Sequence, residues 1–519
     1  MSSKKFTSEV KNISFQHLSI NQKWIDIKDK RIIQIGFGGI GGCMLPLYRR
    51  HIKMNHPSQV IIFEMDKSKI PKKNKQLGAI FIHFKVTKEN YKQTLKSVLR
   101  EGDILVDLAW YIDTLSLLKL CHSTSSLFVN AAVEEWESPM EDPKKDPREY
   151  TLYSRQLKIQ EQAKEWKHQG PTALLTIGAN PGVVSILYKL ALKDWVHWID
   201  KNSNKEGKEV KEMKACLQLL EQNEVKNDRE LSKKIWARLS ALINVQVIQV
   251  TERDTLISAI PRERNTFVCT WSPAGLAEEA IAPAELGWGT HEIMTEGVYT
   301  YSKGPKNQVC FSTRGWNTHV ESYTPVNGNF MASCIRHEEA YSLSDYFTDH
   351  SSKTNKVTYR PTVYYAYLPC DQCVASMQEL QSNGYKYPKK DRIPRDDVIS
   401  GEDEVGIFLL SRDYGEYYLG TKQNIEQSRK LLNHQSPTLL VVAAGVLSGI
   451  IYAYNHPNMG VIHPEEMDEE EAIQMIAPYW YPMIGGHISG WKPTIKSKYD
   501  EDKSKIRVKD WIYEKLRLD

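Results

Sequence analysis

The chain has 519 residues, room for several domains, and its 41% apolar and 25% charged residues are ordinary for a globular protein. A formal net charge of +4, with no dense basic patch interleaved with aromatics, gives no electrostatic footprint for nucleic acid. The N-terminal stretch MSSKKFTSEVKNISF has no apolar core, so no signal peptide is expected, and eight cysteines without a framework fit a reducing cytoplasm.

In chain order, RIIQIGFGGIGGCMLPLYRRH predicts a short strand, a glycine turn and a helix that continues despite Pro46. Apolar runs at 59–66, 79–86, 103–110 and 127–133 predict further strands, with helical patterns in NYKQTLKSVLREG and LSLLKLCHS between them. A charged stretch, EDPKKDPREY, precedes a predicted helix over about 151–168, and TALLTIG predicts another strand. Buried runs alternating with amphipathic helices indicate a doubly wound parallel sheet, an α/β architecture. Residues 201–234 read as a polar, helical surface excursion, and 244–418 as a second, mixed α+β domain. The expected division is 1–180, 181–424, a helical return over 425–493 onto the first domain, and a charged tail at 494–519. The apolar run 438–454 carries Gly445 and Gly449 and is short for a bilayer, so a buried helix is expected and no membrane. Cys370 and Cys373 form one C-x-x-C without a second ligand pair, and HEEAY lacks the second histidine of a zinc helix; no metal is expected.

Gly36, Gly38 and Gly41 spell G-x-G-x-x-G between strand and helix. The first permits a tight turn, the second lets backbone approach a pyrophosphate, and the third lets helix and strand pack closely. With Gly39 and Ile40 they form the predicted phosphate cradle of a Rossmann-type fold, at the positive end of a helix. Glu64, 23 residues after Gly41 at the end of the next strand, is placed to accept hydrogen bonds from the ribose and to favour NAD over NADP; Asp66 is the alternative.

Acidic groups then recur at strand ends: VEEW at 133–136, TERDT at 251–255, RHEEAYSLSDY at 336–346 and GEDEVG at 401–406. TWSPAGLAEEAIAPAELGWGTHE crowds Trp271 and Trp288 among glutamates. Such a lining suits a small organic cation: each ammonium needs a carboxylate, and an iminium can rest on an indole face.

Taken with GANPGVVS, YRPT, YAYLPC and NHPNMG, these motifs run in one order from about Arg31 to Trp491. The chain thereby resembles the bacterial homospermidine synthases, within the saccharopine-dehydrogenase-like group. The resemblance implies a cytoplasmic homodimer, with the second domain binding substrate and forming the dimer. It implies an NAD-dependent aminobutyl transfer in which hydride leaves one putrescine, a second putrescine displaces ammonia, and the new imine is reduced to homospermidine. Spermidine is an alternative donor. By motif position, Trp271 would hold the iminium, Glu252 and Asp403 the ammonium ends, and Glu279 and His337 would move protons. Glu134, Asn180 and Glu339 would complete the lining. Glu135 stands where the group has proline, leaving either Glu134 or Glu135 to face inward. AWYIDT replaces a shorter Val-Asp-Thr after the fourth strand, beside NAD. The rival readings are a saccharopine- or carboxyspermidine-type dehydrogenase, which needs a pocket arginine (Arg253 or Arg336), and a non-catalytic NAD-binding polyamine sensor.

Overall fold

The computed structural model describes residues 6–71, 78–136, 146–202, 207–494 and 510–518. Seven strands form a parallel sheet in the order Val461–Ile462, Ala173–Leu174, Leu127–Asn130, Ile104–Asp107, Ile32–Ile35, Val60–Glu64, Ile80–His83. Ile32–Ile35 pairs with Val60–Glu64 on one side and Ile104–Asp107 on the other, so the chain reverses direction across the sheet at the glycine turn. That reversal opens a crevice at the carboxyl ends of the strands, where such sheets bind ligands.

A second, twelve-stranded sheet is mixed. Its centre is Val245–Asp254, parallel to Thr362–Leu368 and antiparallel to Glu402–Ser411. Both faces of this strand are buried, including Gln246, Gln249, Thr251 and Glu252. Helices Val183–Asn202 and Arg229–Ile243 cover one side.

Several sequence expectations are corrected. The N-terminal strands Thr7–Ser8 and Lys11–Ile13 pair with Met483–Ser489 in the large sheet and so lie outside the 1–180 nucleotide unit. The 425–493 return is not purely helical: Val461–Ile462 extends the parallel sheet and Met483–Ser489 the mixed one. The excursion at 201–234 is no loose surface feature where described. Val210, Met213, Cys216, Leu220 and Val225 are buried in the main core, because the polar pattern conceals one apolar helical stripe. Of the predicted charged tail, 495–509 and 519 lie outside the described residues, as does 137–145, which holds the first half of the charged stretch before the helix at Leu152–Glu165. Residues 510–518 are docked, with Ile512, Tyr513 and Leu516 buried.

The apolar helix Pro437–Asn455 is long enough to cross a membrane, but it is buried along almost its whole length between the glycine helix Gly39–His51 and helix Glu469–Ile476. Its glycines permit contact: a Cβ on Gly445 would lie 2.1 Å from the carbonyl oxygen of Gly178. Gly445→Ala should therefore lower stability by about 1–3 kcal/mol through overpacking. Gly42→Ala, whose Cβ would come no closer than 3.8 Å to Arg395, should match or exceed the wild type. Parallel thermal melts check the pair.

Candidate active site

The glycine turn and both lobes enclose a cavity of about 790 Å³. The turn has the features of a phosphate cradle. Gly36 takes φ +92°, and a Cβ on Gly41 would sit 2.4 Å from Gly36 O, so helix and strand meet without side chains. A Cβ on Gly38 would meet nothing within 4 Å, leaving open space in front of the turn. The helix Gly39–His51 has no side-chain cap, so its first N–H groups are available to an anion. Glu64 lines the cavity, and its carboxylate accepts from Phe37 N at 2.6 Å and Asp66 N at 2.7 Å, which fixes it against the turn. Asp66 instead caps the short turn Lys67–Lys69 through Ser68.

Glu134, Asn180, Glu252, Trp271, Glu279 and His337 all line the same cavity, together with Gly36, Gly38, Gly39, Ile40 and Gly41. These residues are brought together from both lobes. Glu252 sits near the end of the central strand; its Oε2 accepts from Asn180 Nδ2 at 2.7 Å and Tyr365 OH at 2.8 Å. Burial pushes it up to about 7 against those bonds. Asp254, two residues on, is pushed by burial to about 6 and is held by Thr270 at 2.7 Å.

Two predicted residues stand behind the cavity wall. Asp403 pairs in register with Asp254, accepts from Thr438 at 2.7 Å, and leaves Oδ1 buried without a partner. Burial, with Glu252 and Asp254 nearby, holds it well above the usual carboxylate range. Thr438, not Asp403, forms the wall there, because alternation along the strand turns Asp403 toward the helix Pro437–Asn455. Glu339 likewise does not line the cavity; its Oε2 meets His337 Nδ1 at 2.5 Å and its Oε1 accepts from Gly182 N at 3.3 Å. Burial opposes a charge on His337, yet Glu339 beside it raises the ring to about 9.

Adjacent glutamates on helix Pro273–Ile281 take opposite states. Glu278 is bonded to Arg336 and, at 2.9 Å, to Arg155; despite burial these cations hold it at about 2. Glu279 faces the cavity, leaves a buried oxygen without a partner, and is pushed by burial to about 8. Glu134 lines the cavity and is raised well above its ordinary value by burial and by Glu278. Glu135 turns outward to Lys158 at 2.6 Å, so the inward carboxylate is Glu134.

The WGTHE stretch belongs elsewhere. His291 Nε2 meets Trp511 O at 3.0 Å, Glu292 accepts from Tyr513 N at 3.0 Å, and Trp288 packs in the core that also holds Trp511. Glu285, in PAELG, accepts from Leu152 N at 2.8 Å at the start of helix Leu152–Glu165. Glu285 and Glu292 anchor chain segments, and of the acids between Trp271 and Glu292, Glu279 lines the cavity. Cys370 and Cys373 are free, buried thiols. Among the described residues no cluster of three or more metal-ligating side chains is formed. Sequence reasoning missed Tyr365 and Thr438, which line the cavity with Trp110 of the AWYIDT loop; Tyr365 lay within a quoted motif, but nothing local marks which of its tyrosines faces inward.

Buried acids raised above an ordinary value of 4.5 favour the fold below that pH, and this contribution is lost as pH rises through about 7 for Glu252 and about 8 for Glu279. In ligand-free protein, Glu279→Gln should therefore melt higher than the wild type. The gap should open above pH 4.5 and level off past about pH 8. Melts across that range read it directly; a gap independent of pH overturns the burial of an unpaired acid.

The comparisons with known proteins fit this architecture. Residues 32–174 match the saccharopine dehydrogenase NADP binding domain, and residues 178–480 the saccharopine dehydrogenase C-terminal domain. The homospermidine synthase of Mesorhizobium japonicum is 32% identical over 89% of this chain and 91% of its own length. That of Blastochloris viridis is 29% identical over 90% and 92%. The crystal structure of the homospermidine synthase of Legionella pneumophila, in complex with NAD, is 30% identical and covers 96% of this chain and 99% of that chain, with a TM-score of 0.81. With both lobes matched and near full-length identity above 30% to one of these enzymes, the chain belongs to the homospermidine synthases of the saccharopine dehydrogenase family.

Proposed function

We propose that this protein is an NAD-dependent aminobutyl transferase that makes homospermidine from two putrescines, or from spermidine and putrescine, with release of ammonia. The observation that carries the reading is the cavity itself: Glu134, Glu252, Glu279, His337 and Trp271 converge beside a glycine turn with open space before it. NAD, held by the glycine turn and Glu64, supplies a hydride acceptor and, once reduced, a donor, so no net redox results.

The residues of the chain account for the remaining demands. A diammonium substrate enters a site whose acids are raised by burial, and Glu252 and Glu279 ionise as the cations arrive. Loss of hydride beside nitrogen requires that nitrogen to be neutral, so a proton must leave the reacting end and later return to the departing ammonia. Glu279, once ionised, can take the first proton, and His337, raised to about 9, can return one to the departing ammonia. Glu339 acts as a positioning residue, fixing the imidazole through Nδ1. Trp271 offers an indole face to an iminium, and Asp403 acts through Thr438 as a positioning residue behind the wall.

The rival dehydrogenases need a guanidinium for an amino-acid carboxylate. Arg336 is engaged by Glu278, and Arg253 donates to the carbonyls of Asp254 at 2.6 Å and Pro369 at 3.1 Å. Neither lines the cavity, and no other arginine does among the described residues. A homodimeric, cytoplasmic enzyme is part of the proposal; eight free buried thiols support a reducing compartment.

Incubation with putrescine and catalytic NAD should yield homospermidine and ammonia, identified by mass, without net NADH. Net NADH formation, or no amine product, overturns the reading. Diamine binding at pH 7 should release protons, measured by calorimetry in buffers of different ionisation enthalpy, and less so in Glu279→Gln. Trp271→Ala should lower kcat roughly 2- to 30-fold, the equivalent of about 0.5–2 kcal/mol, with NAD affinity little changed. Equal losses in both would remove Trp271 from its assigned role.

A further inference from the structure

Trp110 lines the cavity but has no part in the chemistry above. It lies between strand Ile104–Asp107 and helix Thr114–Thr124, in a connection pinned at both ends. Leu108 N donates to Ile35 O at 3.0 Å, and the Asp113 carboxylate accepts from Ser116 N at 2.7 Å to cap the helix. The inner edge of the loop rests on the glycine turn: a Cβ on Gly36 would lie 2.8 Å from Leu108 O. Tyr111, next in the chain, adopts φ +59°, a left-handed conformation uncommon for a bulky residue.

From this anchored loop Trp110 reaches the other lobe. A Cβ on Gly275 would lie 2.1 Å from Cζ2 and 2.3 Å from Cη2 of Trp110, and 2.9 Å from Cζ3 of Trp271. Two indole edges, one from each lobe, thus close on a single glycine in the first turn of helix Pro273–Ile281. The same helix carries Glu279. Only a residue without a side chain leaves room for both rings, and the rings in turn occupy width that a broader ligand would need beside Trp271.

We propose that Trp110, seated on Gly275 against Trp271, is a specificity-determining residue that limits the amine to a slim, unbranched chain. The inference rests on the polyamine reading and adds the element that sets which amines fit. A fixed apolar wall discriminates a single added methyl or methylene by about 10-fold or more.

The test compares kcat/KM for putrescine, N-methylputrescine and the carbon-branched 2-methylputrescine in the wild type, Trp110→Ala and Trp110→Phe. Trp110→Ala should raise the ratio of at least one bulkier amine to putrescine by about 10-fold or more, and Trp110→Phe should restore most of the wild-type ratio. NAD affinity should stay within about twofold in both, since the change lies in the amine wall. Unchanged ratios in folded Trp110→Ala overturn the proposal. If that variant does not fold, unchanged ratios in Trp110→Leu overturn it equally. If the wild type makes no polyamine, the functional reading fails by itself. Calorimetric affinities of the three amines then still decide whether Trp110 sets the width.

Discussion

Glu252 and Glu279, buried in the cavity with no lysine or arginine bonded to them, are the constraint around which this structure is organised. An ionised acid in such surroundings is unfavourable by several kcal/mol unless it is paired, so an unpaired one keeps its proton. Glu252 and Glu279 are in that state, whereas Glu278, one residue away on the same helix, is ionised between Arg155 and Arg336. The two arginines make Glu278 a structural tie between elements. Among the described residues no guanidinium lines the cavity, so its neighbour Glu279 has no arginine of its own.

The scaffold maintains this imbalance through register and close packing. Pairing Val245–Asp254 with Glu402–Ser411 sets Asp403 opposite Asp254, so carboxyl groups gather at one end of the large sheet. That end abuts the parallel sheet because glycines remove the side chains that would hold the lobes apart. A Cβ on Gly39 would come within 3.1 Å of Trp271 O, and Gly445 lets the long apolar helix rest on the Gly178 carbonyl. The loop that begins at Gly178 also carries Asn180, which bonds Glu252 of the other lobe. The same contacts that join the two lobes therefore position the site.

The parallel sheet and its nucleotide turn were legible from the chain because their determinants are local. Glycines with the right spacing, a preceding apolar strand and an acid at the next strand end act within some thirty residues, through backbone sterics and helix–strand packing. The ordered motifs of the family were legible for a similar reason, each being a short run. Acidic residues near strand ends were legible only as a set. WGTHE drew attention by composition, yet His291 and Glu292 hold the segment around Trp511 and Tyr513, more than two hundred residues downstream.

By itself, then, the sequence determined the α/β class, the glycine cradle with Glu64, the buried nature of the 438–454 helix and the membership signalled by its motifs. Tertiary structure alone decided which acids face inward: Glu134 and not Glu135, Glu279 and not Glu278, with Glu339 and Asp403 one layer back. It also decided that the N-terminal strands cross to the far sheet and that Trp110 meets Trp271 over Gly275. The physical reason is that backbone conformation answers to near neighbours along the chain, whereas the state of a carboxylate or the seat of an indole depends on partners that only folding brings within a few ångströms.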